Sequence, residues 1–345
     1  MTVGVRVPLR LADAHGRVAT DLRVSLTDRC NLRCTYCMPA EGLEWLPTQD
    51  ALTTSEVVRL LRIAVNDLGI TKVRFTGGEP LLRRDLAEII AAASSLRTDA
   101  GAPPDIALTT NGLGLDRRLP ELIEAGLQRV NISLDTMDRD HYARLTRRDR
   151  YEDVRRSIDA VDKAGLRPLK INAVIMQDVN EDAILPLADF CLDHGYQLRF
   201  IEQMPLGPKH TWDRNKMVTQ EAILAELRKR YTLTPDTGGD TTAPATLWHV
   251  AKDARQPGGS IGIIASVTAP FCATCDRTRI TSDGQVRNCL FAKSERDLRS
   301  IMRGGGTDDD IVEAWTAEHL IKAQAHGIND EGFVQPERTM SAIGG

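Results

Sequence analysis

Several features are scarce in this sequence, and each scarcity excludes a class of protein. Aromatic residues occupy only 4% of the 345 positions, which leaves few surfaces on which bases of single-stranded nucleic acid could stack. The 44 Lys and Arg residues are outnumbered by 48 Asp and Glu, giving a net charge of −4, so no general positive field attracts nucleic acid or an anionic membrane. No apolar run approaches the roughly 18 residues of a membrane-spanning helix. We therefore expect neither nucleic acid nor a membrane among the partners.

The cysteines are few, and their distribution is more informative than their number. Six of the seven fall into two tight groups, and an odd total argues against a complete set of disulfides. Arg6, Arg10 and Asp13 interrupt the N-terminal segment, where a secretory signal peptide has an unbroken apolar stretch. We therefore predict a cytoplasmic protein whose cysteines bind metal.

Strand and helix patterns alternate through the first part of the chain, which is typical of repeated βα units. The predicted strands lie near residues 22–27, 71–76, 105–109, 129–134, 169–175 and 197–202. The predicted helices lie at residues 54–68, 84–96, 118–126, 152–165 and 181–194. Such units in series imply a parallel sheet with right-handed crossovers.

The two faces of the predicted strands differ in polarity. Apolar residues alternate with polar ones along most of these strands, whereas a parallel strand covered by helices on both sides is apolar on both faces. We therefore predict an α/β fold, a partial (βα)6 TIM-like barrel, with Arg23, Arg74, Lys170 and Arg199 in its lumen. Four cations facing one cavity repel each other unless an anion joins them, which predicts a polyanionic ligand. The alternative is that these side chains lie on a solvated face of the sheet.

The composition changes after about residue 205. Gly, Pro, Thr and Asp are frequent in residues 235–246 and 253–262, and residues 303–310 read RGGGTDDD, as is typical of solvated loops. The elements predicted for this part are helices at 219–230 and 308–323 and a strand at 260–267. We accordingly divide the chain into an N-terminal segment, 1–20, the partial barrel, 21–205, and a smaller, loop-rich C-terminal region, 206–345, that packs against the barrel.

The first cysteine group comprises Cys30, Cys34 and Cys37, with the spacing C-x3-C-x2-C directly after the first predicted strand. Three closely spaced thiolates at the carboxyl end of a parallel strand suit a cubane iron–sulfur cluster. An electron-transfer ferredoxin supplies a fourth thiolate nearby, and none follows here, so one iron is open to an exogenous ligand. A structural zinc site closes with four ligands, and no nearby His or Cys completes one.

With Tyr36 before the last cysteine, this motif resembles the radical S-adenosylmethionine superfamily. The resemblance implies that S-adenosylmethionine chelates the open iron and that one electron cleaves it to a 5′-deoxyadenosyl radical. It also implies a partial (βα)6 barrel. Residues 76–80, TGGEP, follow the second predicted strand and resemble the superfamily motif beside the methionine amino group. Its glycines allow the backbone to approach a ligand closely, and Glu79 offers an acceptor to an ammonium.

The second cysteine group comprises Cys272, Cys275 and Cys289, with the spacing C-x2-C-x13-C. This spacing alone is compatible with a second iron–sulfur cluster, with zinc, or with structural cysteines. Arg277 and Arg279 follow the second cysteine, where they could offset the charge of an anionic cluster or bind phosphate in a bidentate manner. Alternatively, these two arginines form surface ion pairs.

Both groups together resemble the GTP 3′,8-cyclase family, which performs the first step of molybdenum cofactor biosynthesis. The resemblance extends from about residue 21 to the last residue, and it implies that the C-terminal region, 206–345, is an iron–sulfur region that covers the barrel opening. It depends on residues 21–39, 73–80, 109–112, 131–135, 272–281 and 340–345.

The resemblance implies a lyase that converts GTP to (8S)-3′,8-cyclo-7,8-dihydro-GTP, beginning with removal of the C3′ hydrogen by the 5′-deoxyadenosyl radical. Its implied cofactors are S-adenosylmethionine and two [4Fe-4S] clusters, one at each cysteine group, with guanine bound at the second cluster. The residues implied to contact GTP are Arg23, Arg74, Thr109, Lys170, Arg199, Arg277, Thr278 and Arg279. The residues implied to contact S-adenosylmethionine are Tyr36, Gly78, Ser133 and Met204.

The same resemblance implies catalytic positions for Arg277, Arg279 and the terminal Gly344 and Gly345. From composition alone the double glycine would be a frayed tail, but in this family it enters the active site, where only residues without side chains fit. Asp276 departs from the family, which commonly has Asn there, and it adds negative charge beside Arg277.

The implied partners are GTP, an electron donor of flavodoxin or ferredoxin type, the next enzyme of the pathway, and a second copy of the chain in a homodimer. Two other interpretations stay open at this point. A radical S-adenosylmethionine peptide maturase also carries auxiliary clusters, although a cationic lumen and the Gly-Gly end would be unexplained. A non-catalytic carrier of two clusters would not explain why each group has three thiolates instead of four.

Overall fold

A long, mostly parallel sheet organises the molecule. The computed structural model describes residues 9–209, 212–253 and 257–344. Within these residues the strands are β1 (Asp21–Ser25), β2 (Lys72–Thr76), β3 (Asp105–Thr110), β4 (Arg129–Ser133), β5 (Lys170–Ile175), β6 (Gln197–Glu202), β7 (Leu233–Pro235), β8 (Thr246–Val250), β9 (Gly259–Ile264), β10 (Arg277–Ile280), β11 (Gln285–Arg287) and β12 (Arg296–Asp297). The α-helices are α1 (Thr54–Asn66), α2 (Leu86–Ser95), α3 (Leu115–Glu124), α4 (Arg139–Thr146), α5 (Tyr151–Lys163), α6 (Ile184–Asp193), α7 (Gln220–Arg228), α8 (Leu298–Arg303), α9 (Asp308–Leu320) and α10 (Met340–Ile343).

Strands of the C-terminal region form both edges of the sheet. The order is β12-β11-β10-β1-β2-β3-β4-β5-β6-β9-β8-β7. Strands β1 to β6 pair in parallel, as the alternating pattern predicts. Strand β10 then adds in parallel to β1, and β9 adds in parallel to β6. The parallel α/β fold is therefore confirmed, and the C-terminal region extends the sheet as well as lying over it.

Two elements near the functional residues were not predicted, for identifiable reasons. Strand β10 consists of Arg-Thr-Arg-Ile, all of it buried, and charged residues are not expected in a strand without an exposed face. Helix α4 reads RDHYARLT, which contains too few apolar residues to show a helical period. The side chain of Asp138 nevertheless accepts a hydrogen bond from the backbone N–H of His141, at 2.6 Å, and so begins the helix.

The main hydrophobic core lies between the sheet and the helices. It includes the apolar residues of the predicted alternation, such as Leu22, Phe75, Ile132 and Phe200, which are fully buried. The intervening residues of the same strands therefore face the opposite side of the sheet. A smaller apolar cluster, which includes Leu206, joins segments of the C-terminal region. No helix in the described part of the chain is both long and apolar enough to cross a membrane.

Glu202 connects the barrel to the C-terminal region. Its carboxylate, fully buried at the end of β6, accepts hydrogen bonds from the backbone N–H groups of Val267 and Thr268, both at 2.9 Å. It also accepts from the N–H of Gln220, at 2.8 Å, and from the hydroxyl of Thr268. A buried charge is tolerated when donors satisfy it in this way, so this carboxylate fixes the chain segment that follows β9.

We expect Glu202→Gln to lower the free energy of unfolding by about 1.5–3 kcal/mol, since a neutral amide loses charged hydrogen bonds and turns an N–H group toward other donors. Urea denaturation measures this change. Glu313→Gln, at an exposed position of α9, is the matched control and should leave the midpoint nearly unchanged. Equal midpoints for the two variants would contradict the role of Glu202.

Candidate active site

One large cavity lies on the polar side of the sheet, toward the carboxyl ends of the parallel strands. Its volume is about 280 Å³, close to the lower end of the roughly 300–1,000 Å³ that small-molecule sites occupy. The residues of the sequence analysis that line it are Arg23, Cys30, Cys34, Tyr36, Cys37, Arg74, Gly78, Thr109, Ser133, Arg199, Met204, Arg277 and Arg279. Met340 and Ser341 of the C-terminal tail line it too.

The first cysteine group stands on the loop that follows β1. Its three thiols are half-buried, and burial is the main cause that raises their pKa values, to about 12 for Cys37. Thiolates in such surroundings need positive charge beside them, which the irons of a cluster supply. Asn111, after β3, donates to Asn31 Oδ1 at 2.7 Å and so supports the loop. The donor set and its position fit a [4Fe-4S] cluster held by three thiolates.

Gly77 and Gly78 bring the end of β2 against this cysteine loop. The Gly78 N–H donates to the carbonyl oxygen of Thr27 at 2.7 Å. A Cβ at Gly78 would lie 2.3 Å from the carbonyl oxygen of Asp28 and 2.4 Å from that of Arg29, and one at Gly77 would lie 2.3 Å from that of Thr27. The glycines are thus required by contact between two loops, where the sequence suggested only contact with a ligand.

Glu79 is bonded to two loops beside the first cysteine group. Its fully buried carboxylate accepts hydrogen bonds from the Thr110 hydroxyl and the Asn111 N–H, both at 2.7 Å, and from the Leu81 N–H at 3.0 Å. Burial raises its pKa to about 7. The side chain therefore joins the TGGEP loop to the loop after β3, and the expectation that it also receives the ammonium of a ligand stays a prediction.

Tyr36 and Asp135 face the cavity as a bonded pair. The phenol of Tyr36 donates to Asp135 Oδ2 at 3.0 Å, and the N–H of Val174 donates to Asp135 Oδ1 at 2.9 Å. Burial raises the pKa of Asp135 to about 6, which these hydrogen bonds partly oppose. The sequence analysis treated Asp135 only as part of a motif, so its place beside the first cysteine group is a finding of the structure.

Five arginines form an arginine cluster in the cavity: Arg23, Arg74, Arg199, Arg277 and Arg279. Burial, together with repulsion from neighbouring arginines, lowers the pKa of Arg23 and Arg279 to about 9 and that of Arg74 and Arg199 to about 10. The buried Nε atoms of Arg23, Arg74, Arg199 and Arg277 have no hydrogen-bond partner among the described residues. Donors left in this state indicate a place for an anion.

Asp21 lies among these arginines. Its Oδ2 is 3.8 Å from Arg23 Nη2 and 3.7 Å from Arg277 Nε. Burial opposes its charge, but the surrounding arginines hold the pKa of Asp21 below its ordinary value. One carboxylate thus offsets a small part of the positive charge of the cluster.

Two of the expected nucleotide contacts lie away from the cavity wall. Lys170 is the buried first residue of β5, in register with Asn131 and Gln197, and burial together with nearby arginines lowers its pKa to about 7. Thr278 points to the opposite side of the sheet, where its Oγ1 accepts a hydrogen bond from Trp315 Nε1 at 3.0 Å. This hydroxyl therefore supports the packing of α9, and the expected contact of Thr278 with the nucleotide stays a prediction.

The C-terminal tail reaches the arginine cluster. Gly344 has a φ of 83°, and a Cβ there would lie 2.9 Å from Ser25 Cβ and 3.0 Å from Thr76 Cγ2. Its carbonyl oxygen accepts a hydrogen bond from Arg279 Nη1 at 2.7 Å. Glycine is therefore required at this position by both conformation and space. Gly345 lies outside the described residues.

The second cysteine group borders the cavity through Phe271 and Leu290, which line it. The three thiols are half-buried. Although burial opposes it, the positive charges of Lys322 and Arg277 lower the pKa of Cys275. Lys322 was not singled out in the sequence, because no motif marks a lysine that follows a helix.

Asp276 is paired on the side away from this group. Its Oδ2 accepts a hydrogen bond from the Thr20 hydroxyl at 2.7 Å and lies 3.8 Å from Lys72 Nζ. Lys72 is shared with Asp240, whose Oδ2 is 3.4 Å from its Nζ, and Arg277 lines the cavity with Asp276 beside it.

Comparison with known proteins places the chain in a family. The model of the radical SAM superfamily matches residues 24–191, and that of Molybdenum Cofactor Synthesis C matches residues 196–328. A GTP 3′,8-cyclase of Corynebacterium glutamicum (strain ATCC 13032) is 60% identical over 97% of this chain and 89% of that protein. The chain belongs to the GTP 3′,8-cyclase family. Two other members come from Mycobacterium sp. (strain KMS) and Mycolicibacterium smegmatis. They are 57% and 55% identical to this chain, and the alignments include 97% of this chain and 93% and 92% of those proteins.

Membership of the GTP 3′,8-cyclase family confirms the resemblance found in the motifs. A radical SAM protein of this family uses a [4Fe-4S] cluster and S-adenosylmethionine. The fold is similar to that of Streptococcus suis SuiB bound to S-adenosylmethionine, with a TM-score of 0.58 and 15% identity over 92% of this chain and 67% of that one. The two family models meet between residues 191 and 196, before β6, whereas the predicted domain boundary at 205 lies after it and stays a prediction.

We expect Gly78→Ala to displace the cysteine loop, because the added methyl group meets two backbone carbonyl oxygens. The cost should be about 1–3 kcal/mol of unfolding free energy, as for other overpacked sites, with less iron bound after reconstitution. Gly238→Ala is the matched control, since a Cβ there meets only Asp236 Oδ1 at 3.7 Å. Unchanged iron content and stability in Gly78→Ala would show that the two loops do not depend on this contact.

Proposed function

We propose that this protein is a radical S-adenosylmethionine lyase that converts GTP to (8S)-3′,8-cyclo-7,8-dihydro-GTP, the first step of molybdenum cofactor biosynthesis. The observation that carries the proposal is the arginine cluster. Buried guanidiniums with unpaired Nε atoms, beside a cysteine group that fits a [4Fe-4S] cluster, suit a substrate with a polyphosphate at one end and a reactive sugar at the other.

In this proposal the arginine cluster binds the triphosphate. Arg23 and Arg74 lie on neighbouring strands in register, and Arg279 is in register with Arg23 on the other side. Thr109, on β3, offers a hydroxyl at the cavity wall, and Lys170 adds charge at the far end of the strands. An anion held by several fixed donors keeps the ribose and base in one orientation, which is the main contribution that a protein makes to a radical reaction.

S-adenosylmethionine is proposed to bind beside the first cysteine group. Tyr36, Gly78, Ser133 and Met204 line that part of the cavity. When bound, the [4Fe-4S] cluster and S-adenosylmethionine together supply a 5′-deoxyadenosyl radical that removes the C3′ hydrogen of GTP. The Tyr36–Asp135 pair fixes the loop of Cys34 and Cys37 against β4. Hydrogen abstraction requires no general base, so the residues here position the reactants and exclude water.

The second cysteine group is proposed to hold a further [4Fe-4S] cluster that binds the guanine. Phe271 and Leu290 place this group at the cavity wall, and Arg277 extends from its loop into the arginine cluster. Gly344, bonded to Arg279, narrows the cavity between the ends of β1 and β2. Arg277, Arg279, Gly344 and Gly345 are thus proposed to be catalytic residues that contact the ribose and the triphosphate.

The further partners are also proposals: an electron donor of flavodoxin or ferredoxin type, the next enzyme of the pathway, and a second copy of the chain in a homodimer, all in the cytoplasm. The peptide maturase alternative receives less support, because a neutral peptide does not explain five arginines in one cavity. A carrier of two clusters does not explain the cavity at all.

The test is an anaerobic reaction of the reconstituted protein with S-adenosylmethionine and dithionite. Mass spectrometry quantifies 5′-deoxyadenosine with and without GTP, and metal analysis distinguishes iron from zinc at the second group. We expect GTP to stimulate 5′-deoxyadenosine formation and a dihydro-GTP isomer to appear. Cleavage that is indifferent to GTP would retain the radical chemistry and reject GTP as the substrate.

For Cys289→Ser we expect loss of the second cluster, slow cleavage of S-adenosylmethionine and no cyclised product, because the first cysteine group is intact while the guanine loses its anchor. Product is measured by mass spectrometry and iron by colorimetry. Cys191→Ala is the control, since Cys191 is a fully buried cysteine of α6 outside both groups. Full product formation by Cys289→Ser would reject the assignment of the second cluster.

The affinity for GTP should depend on pH through Lys170. Its pKa of about 7 in the free protein means that it is half charged at neutral pH, and a bound triphosphate favours the charged form. Binding therefore takes up a proton, and the Kd should rise by up to about tenfold per pH unit above 7, the limit for one linked proton. Calorimetry without S-adenosylmethionine measures this. Near neutral pH, below the pKa values of the arginines, Lys170→Met should show a smaller pH dependence than the parent protein, and an identical pH profile in both proteins would contradict the assignment.

A further inference from the structure

A buried lysine stands directly behind the second cysteine group. Lys322, just after α9, is 3% exposed. Its Nζ donates to the carbonyl oxygens of Cys275, at 3.0 Å, and of Arg277, at 2.9 Å, and lies 3.5 Å from Cys275 Sγ. Lysines are rarely buried to this extent without a partner for their charge. The partners of Lys322 Nζ are two neutral carbonyl groups and a thiol, and none of them neutralises its charge. A thiolate at Cys275 would do so.

The end of α9 and the N-terminal segment together contact the chain around all three cysteines. One turn before Lys322, the Glu318 carboxylate accepts a hydrogen bond from Asn288 Nδ2, at 3.0 Å, beside Cys289. From the N-terminal segment, Arg17 Nη1 donates to the carbonyl oxygen of Cys272 at 2.7 Å. The end of α9 and Arg17 thus hold the three cysteines of the second group in one arrangement.

Lys322 lies nearer to Cys275 Sγ than the other positively charged or titratable groups described next. Arg277 Nη1 is 4.0 Å from Cys275 Sγ, farther than Lys322 Nζ, and its Nη2 is bonded to the carbonyl oxygen of Thr242 at 2.9 Å. His319 is buried, and burial lowers its pKa to about 3, so this ring is neutral. The carboxylate of Glu318 is bonded to Asn288 and Ser294.

We propose that Lys322 is a positioning residue that keeps Cys275 in place for the second cluster and raises the reduction potential of that cluster. The proposal depends on the proposed function, which places a cluster at these cysteines. A cation and a hydrogen bond at a sulfur ligand favour the reduced state, because reduction adds negative charge to the cluster. The backbone bonds to Cys275 and Arg277 fix the ligand and the arginine that enters the cavity.

The experiment isolates the second cluster by changing Cys30, Cys34 and Cys37 to Ala, so that all bound iron belongs to Cys272, Cys275 and Cys289. In this parent we compare Lys322→Met, which loses charge and donors, with Lys322→Gln, which keeps N–H donors without the charge, and Lys322→Arg, which keeps the charge. Lys229→Met, at an exposed ion pair after α7, is the matched control. Iron and sulfide content and the EPR-monitored midpoint potential are measured for each, with circular dichroism to verify folding.

We expect Lys322→Met to bind less iron than the parent. In both neutral variants the ratio of reduced to oxidised cluster at a fixed potential should fall at least tenfold, which is about 59 mV for one electron. The iron content and midpoint potential of Lys322→Arg and Lys229→Met should remain close to those of the parent. A purely structural role for Lys322 would lower the iron content without moving the potential.

The proposal is overturned if the clusters of the neutral variants have the same midpoint potential as the parent. It is also overturned if the midpoint potential of Lys322→Arg falls as far as that of Lys322→Met. Lys322→Gln retains donors for the two carbonyls, so misfolding of Lys322→Met alone does not remove the test. A parent protein that binds no iron with Lys322 intact would instead reject the second cluster, and with it that part of the proposed function.

Discussion

Repulsion among buried arginines is the constraint on which the rest of the site depends. The arginine cluster faces one cavity, and burial together with mutual repulsion lowers the pKa values of four of its members. Asp21 supplies negative charge between Arg23 and Arg277, but far less than the cluster carries. Arginine side chains that repel one another would move apart if the backbone segments that carry them were mobile. The sheet prevents this, because every one of these arginines lies on a strand that is hydrogen-bonded to its neighbours.

Parallel pairing at the edge of the sheet completes the cluster. Strand β10 lies beside β1, with Arg277 in register with Asp21 and Arg279 in register with Arg23. The barrel strands alone contribute Arg23, Arg74 and Arg199. The anion site is therefore shared between the first and last parts of the chain, and the second cysteine group, which immediately precedes β10, is brought to the cavity by the same pairing. The Gly344–Arg279 bond continues this arrangement into the tail.

The sequence predicted this site to the extent that alternation and motif spacing describe it. Alternating polarity placed Arg23, Arg74 and Arg199 on one face, because a strand has a period of two. It could not find β10, since a strand with all its residues buried shows no alternation. It could not find the hydrogen-bond partners of Glu79 and Thr278, which come from the end of β3 and from α9, and it had no means of finding Lys322. Contacts between distant segments are set by packing, which no local pattern encodes.

The two cysteine groups have the same number of thiols but opposite electrostatic surroundings. Near the first group stand the carboxyls of Asp135 and Glu79, and burial raises the pKa values of its thiols. Near the second stand Lys322 and Arg277, which lower the pKa of Cys275, whereas burial raises the pKa of Cys272. Negative surroundings make a cluster harder to reduce and a stronger reductant, whereas positive surroundings stabilise added charge. The fold therefore provides one position suited to donating an electron to a bound sulfonium and another suited to holding an electron-rich ligand near an anionic substrate.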